Sequence, residues 1–148
     1  MKNCLIVVFL SFAIAFTTTS CKDESVMPSS DLPSSITTFI STHFSSQTII
    51  QSIKDYNETP FRYYYEVLLS DFVTLEFNKK GEITKIESRA EIPTAAIPSA
   101  KVVQKAKELF ADAVIIGWQM DDRKQELKLS NKITLEFNKA GDFLRIDD

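Results

Sequence analysis

The chain has 148 residues, 44% hydrophobic and 25% charged, the balance of a folded protein with one domain or two small ones. Its formal net charge of −3 excludes a nucleic-acid partner, because there is no basic surface to replace phosphate counterions. Both cysteines, Cys4 and Cys21, fall in the first 21 positions, so the remainder has no disulfide, no thiolate zinc cluster and no cysteine nucleophile.

Met1-Lys2-Asn3 followed by the apolar run Leu5–Phe16 reads as a secretory signal peptide over residues 1–20. The run is shorter than the ~20 residues a membrane-crossing helix needs. Thr17-Thr18-Thr19-Ser20-Cys21 resembles a lipoprotein processing site, with Cys21 as the lipidated residue; Thr18 stands where Leu is usual. The alternative is a plain signal peptide cleaved nearby, with Cys21 incidental. Lys22-Asp23-Glu24 resembles the Lys-plus-two-acids signal that sends lipoproteins of Bacteroidetes-type bacteria to the outer face of the outer membrane. Residues 21–30 are expected to form a flexible tether. The membrane is thus a partner only through the lipid anchor, with the body periplasmic or surface-facing.

Beyond Pro33, Ile36, Phe39, Ile40, His43 and Phe44 recur at three- and four-residue spacing and predict an amphipathic helix. Four strands are expected next, at Ile49–Lys54, Arg62–Leu69, Thr74–Phe77 and Ile83–Ser88, with an extra loop at Asp55–Pro60. In the third strand Val73, Leu75 and Phe77 alternate with Thr74 and Glu76, which places one face on a core and one in water. Asn78-Lys79-Lys80-Gly81 predicts a hairpin turn with Gly in the left-handed position.

After Arg89–Ile97 the pattern returns. Val102, Val103, Ala106, Leu109 and Phe110 predict a second helix after Pro98, then strands at Val114–Met120, Gln125–Leu129, Thr134–Phe137 and Phe143–Asp147. Laid without a gap on Glu126–Asp147, Glu66–Glu87 is identical at Glu66, Leu69, Ser70, Thr74, Leu75, Glu76, Phe77, Asn78, Lys79, Gly81 and Ile86. A copy this close predicts an α+β fold: a tandem duplicated unit of one helix plus a four-stranded antiparallel sheet, over residues 31–90 and 91–148. Its helices would pack on one face of a combined sheet, a continuous or nearly continuous array of eight antiparallel strands.

Chemistry-bearing residues are sparse. His43, the only His, has no second His or Cys to complete a metal site or a nucleophile–base pair, and reads as a helix residue beside the buried stripe. Glu66, Glu76, Glu126 and Glu136 read as solvated or paired with Lys85, Lys128 and Arg145 across strands. Asp112 and Asp121-Asp122 fit no calcium-loop spacing and read as a charged turn. No catalytic residue, cofactor site or metal site is assigned. Trp118 reads as core. Strict alternation puts Tyr64 and Leu68 on the wet face, and, if no bulge intervenes, the matched Ile83 and Phe143 with them, as candidate partner-binding residues; the alternative is a bulge or partial cover that hides them.

Tyr63-Tyr64-Tyr65-Glu66-Val67, Leu75-Glu76-Phe77-Asn78-Lys79-Lys80-Gly81 and Ile97-Pro98 together resemble the β-lactamase-inhibitor-like, PepSY-like lipoproteins of Bacteroidetes over Asp31–Asp148. The chain departs from that pattern at Asp71-Phe72, where a Gly is usual, so a distorted first hairpin turn is expected. The resemblance implies shape more than activity. It implies a secreted, tandem α+β fold like that of β-lactamase inhibitor proteins. The missing catalytic set, the Cys21 tether and the candidates Tyr64, Leu68, Ile83 and Phe143 lead instead to a non-enzymatic envelope lipoprotein that binds a protein or peptide through the open sheet face. The alternative, suggested by the resemblance alone, is an inhibitor or regulator of a secreted protease or hydrolase.

Overall fold

Period-two alternation sets the strands. The computed structural model describes residues 24–56 and 64–147, so the expected signal peptide and Cys21 lie outside the described residues. The strands are β1 (Glu24–Met27), β2 (Ile49–Asp55), β3 (Tyr65–Leu69), β4 (Val73–Phe77), β5 (Ile83–Glu87), β6 (Ile115–Met120), β7 (Lys124–Leu129), β8 (Thr134–Asn138) and β9 (Phe143–Asp147). Helix α1 (Ser34–His43) precedes β2, and α2 (Ala100–Leu109) precedes β6. Pro33 and Ser99 stand at the helix entries, and Pro33 places its missing N–H where no intrahelical acceptor exists.

The expectation of a duplicated helix-plus-four-strand unit is corrected. Among the described residues the protein is mostly β, a single nine-stranded antiparallel sheet in the order β1 to β9 with only two short α-helices. Two findings overturn a division into repeated four-stranded units. Strands β5 and β6 pair directly, through Lys85–Gln119, Ile86–Trp118 and Glu87–Gly117, so no boundary interrupts the ladder. A ninth strand comes from the stretch read as tether: Glu24–Met27 pairs with Asp55–Ser52, and the Ser52 hydroxyl donates to the Met27 carbonyl at 2.9 Å. Met27 packs on the core while Val26 stays exposed, an alternation too short to stand out in the sequence.

One face of the sheet carries the core. Val67, Leu69, Leu75, Phe77, Ile86, Leu127, Leu129, Leu135 and Phe137 point there, against Ile36 and Ile40 of α1 and Val102, Val103 and Ala106 of α2. The connection between β5 and α2 adds Ile92, Ala96 and Ile97, and the Ile92 N–H donates to the Ile115 carbonyl at 2.9 Å. Trp118 is 1% exposed, and its indole N–H donates to the buried Gln125 at 3.1 Å. Both predicted hairpins form, with Gly81 at φ 77° and Gly141 at φ 84°. The turn between β3 and β4 holds both Asp71 and Phe72 at φ 59°, the left-handed region in which a side chain is strained. The loop expected at Asp55–Pro60 lies largely outside the described residues.

Candidate functional site

The face turned away from the helices is organised by register. Reading across neighbouring strands, Glu66 stands opposite Glu76, Glu76 opposite Lys85, Lys85 opposite Gln119, Gln119 opposite Glu126, Glu126 opposite Glu136, and Glu136 opposite Arg145. One polar row therefore runs over seven strands. The adjacent row includes Leu68, Thr74, Glu87, Gly117, Lys128, Thr134 and Asp147.

Ion pairs stitch these rows together. Lys85 Nζ lies 3.0 Å from Glu76 and 3.2 Å from Glu87, and Lys128 Nζ reaches Glu87 at 3.2 Å across the β5–β6 junction. Lys124 Nζ lies 2.8 Å from Glu136, and Arg145 donates to both Glu136 oxygens at 2.7 and 3.0 Å. Gln119 donates to Glu126. Of the pairings predicted from sequence, Glu76–Lys85 and Glu136–Arg145 form, whereas Lys128 takes Glu87.

The row is electrically uneven. Arg145 and then Lys124 hold the Glu136 carboxyl at about 2, well below the ordinary carboxylate range. At the other end, burial and then the facing Glu76 and nearby Glu24 push Glu66 up. Burial opposes ionisation of Lys85 and of Glu87, yet Glu76 and then Glu87 raise the lysine, and Lys128 with Lys85 lowers the acid. Such values follow from charge packing on a surface and need no catalytic role. Beside the row, where β5 and β6 part, an open cleft of about 470 Å³ is lined by Glu76, Lys85, Gln119, Met120, Asp121 and Lys139, among others.

The candidate partner-binding residues separate. Leu68 is half-buried on the open face, opposite Thr74 and Gln51. Tyr64 precedes β3, half-buried, with Lys54 and Lys79 ammonium groups 5.3 and 5.7 Å from its ring centre. Ile83 is corrected. The pairing shifts between Glu76 and Phe77, so Thr84 is the extra residue and Ile83, 8% exposed, faces the core opposite Phe77. Phe143 shifts identically opposite Phe137, with ring centres 5.8 Å apart, and packs on the core's edge. Of the four candidates only Leu68 stays on the open face clear of the core, since Tyr64 also packs partly against it, and the charged row dominates the face. Sequence reasoning missed Glu87, Gln119 and Lys124 as members; the β5–β6 pairing recruits Glu87 and Gln119, and Lys124 joins from β7 through Glu136 on β8.

The remaining residues fall as their chemistry suggests. His43 ends α1 with its ring 4.8 Å from that of Phe39. Asp121 accepts from the backbone N–H groups of Arg123 and Lys124 at 2.7 and 2.8 Å, which lowers its pKa and makes it a turn cap.

A sequence model of the family described as putative β-lactamase-inhibitor-like, PepSY-like matches residues 13–59 and 63–145. Among solved structures, the chain is similar to a putative calcium-regulated periplasmic protein from Bacteroides thetaiotaomicron. That likeness has TM-score 0.75 and 27% identity, covering 85% of this chain and 98% of the other. It is likewise similar to a putative periplasmic protein from Bacteroides vulgatus, at TM-score 0.78 and 25% identity over 85% of this chain and 98% of that one. A second periplasmic protein of unknown function from the same species gives TM-score 0.73 and 27% identity over 84% and 99%. No protein with a curated function matches the chain.

Proposed function

The chain belongs to the putative β-lactamase-inhibitor-like, PepSY-like family, and on that premise we propose a non-enzymatic envelope lipoprotein that binds a protein or peptide across its open sheet face. The observation that carries this reading is the ionic row from Glu66 to Arg145, set on a sheet face that no helix covers among the described residues. A surface of charged side chains with few apolar ones, Leu68 and the exposed Val26 among them, selects partners by electrostatic complementarity more than by burial. The periplasmic descriptions of the similar structures support an envelope location. In this reading Cys21 carries the lipid and residues before β1 hold the body near the membrane. The calcium regulation named for one similar protein is not carried over. Among the described residues no three His, Cys, Asp or Glu side chains are grouped to hold an ion.

A photo-crosslinking residue placed in intact cells tests the proposal. Introduced at Leu68 or Lys128 on the open face, it is expected to trap a protein that the same residue at Gln104, on α2, does not. Equal products from both faces, or none from the open face, would overturn the assignment. Trapping of a secreted protease or hydrolase, with loss of its rate when purified protein is added, would identify the partner as an inhibited enzyme.

A further inference from the structure

Strand β9 is an edge whose matched strand inside the same sheet is not. Ile86 of β5 is 1% exposed, covered by Trp118 of β6, whereas the matched Ile146 of β9 is 43% exposed. The Ser88 N–H donates to Ile116 on β6 at 2.9 Å, and N–H groups along an antiparallel strand point alternately to its two sides. Ile86 therefore turns its N–H and C=O toward β6. Ile146 pairs with Leu135 as Ile86 pairs with Leu75, so its N–H and C=O point off the edge of the sheet.

We propose that β9 pairs with β9 of a second copy, antiparallel about a two-fold axis at Ile146, to form a continuous sheet across two chains. In this register Ile146 exchanges two backbone hydrogen bonds with the partner's Ile146. The exposed Ile146 side chains cover each other on the helix-bearing face. On the opposite face Arg145 stands across from the partner's Asp147, and Asp147 across from the partner's Arg145. Charge fixes the register. A shift of two residues one way sets Arg145 against the partner's Arg145, and the other way sets Asp147 against the partner's Asp147. A shift of one residue breaks the hydrogen-bond match. The contact is isologous, the arrangement that closes at two copies. The other edge, β1, has four residues, Glu24-Ser25-Val26-Met27, and lacks the Arg–Asp alternation that sets a register on β9. One strand pair covers far less than the ~1,200 Å² of a standard interface, so the dissociation constant belongs in the micromolar range or above.

Sedimentation equilibrium on the purified chain carrying Cys21→Ser, which leaves every described residue in place, tests the pairing. From micromolar to millimolar concentration the mass is expected to rise to twice the monomer and stop. Asp147→Arg, a position in no ion pair among the described residues, is expected to weaken association at least about tenfold, since like charges then face each other. Arg145→Asp is expected to do the same, and an equimolar mixture of the two variants to recover the dimer. If Arg145→Asp does not fold, Ile146→Pro, which deletes the outward N–H, replaces it and is expected to stay monomeric. A parent chain monomeric throughout, growth beyond two copies, or dimers undiminished by Asp147→Arg would overturn the proposal. So would a mixture of folded variants that stays monomeric.

Discussion

Glu136 and Glu66 stand in one row of the open face yet respond oppositely to protons. Glu136 has 8% of its side chain exposed, with Arg145 and Lys124 around it, and its pKa falls from 4.5 to about 2. A carboxyl depressed in the fold adds stability that is complete above its unfolded value and disappears as pH falls through its folded value. Glu66 has its pKa raised by burial, then by Glu76 and Glu24, so folding disfavours its charge and stability recovers as it protonates. Thermal unfolding of two variants separates these effects. Glu136→Gln is expected to lower the melting temperature at pH 7, with the deficit shrinking between pH 4.5 and about 2. Glu66→Gln is expected to raise it at pH 7 and to leave it unchanged once pH lies below the ordinary carboxylate range. The same sign for both at pH 7 would contradict this account of the row.

Between elements, local chemistry was readable wherever a residue type left no alternative. Gly81 and Gly141, each preceded by Asn-Lys-Lys or Asn-Lys-Ala, announced their hairpins, and Pro33 and Pro98 announced the helices. Alternation left the bulges at Thr84 and Leu144 open as the alternative to a wet-face Ile83 and Phe143, and the register decides for the bulges. Their trace is present, since Ile83 and Ile86, like Phe143 and Ile146, are spaced by three rather than two. Only an added residue puts both members of such a pair on one face. The Gly81 turn also depends on tertiary contact. A Cβ built there would collide with the Ser35 hydroxyl of α1, whereas at Gly141 the nearest atom, the Ser99 hydroxyl, lies at 2.9 Å. Gly81→Ala is therefore expected to cost more than the ~1–2 kcal/mol of left-handed strain alone. In a Ser35→Ala background the cost is expected to fall toward that strain value. Equal costs in both backgrounds, measured by urea unfolding, would remove α1 from the explanation.

At the scale of the molecule, the near-copy of Glu66–Glu87 in Glu126–Asp147 was legible, as was one covered face and one wet face. A combined sheet of eight strands was legible too, but its ninth strand, β1, and the pairing that joins its two parts were not. Joining the strands depends on Ile86, Trp118 and Gly117 meeting across β5 and β6, and no local pattern reports a pairing between strands separated by a connection and a helix. Gly117 helps that meeting: a Cβ there would lie 3.3 Å from the Ile86 carbonyl oxygen. The junction has three paired positions, but the buried residues on either side form one cluster. A core shared in this way has no plane along which half the molecule opens cheaply, so unfolding is expected to be all-or-none. Trp118, the only Trp, sits at the junction and reports on it. Its fluorescence and the far-ultraviolet circular dichroism of the whole sheet are expected to change at one denaturant midpoint. Ile86→Ala removes the side chain opposite Trp118 and is expected to cost about 2–5 kcal/mol. If the sheet is one cooperative unit, that substitution moves both midpoints together. Were the Trp118 signal to shift while most of the dichroism remained, the two ends of the sheet would be unfolding separately, and the junction would be a hinge between them.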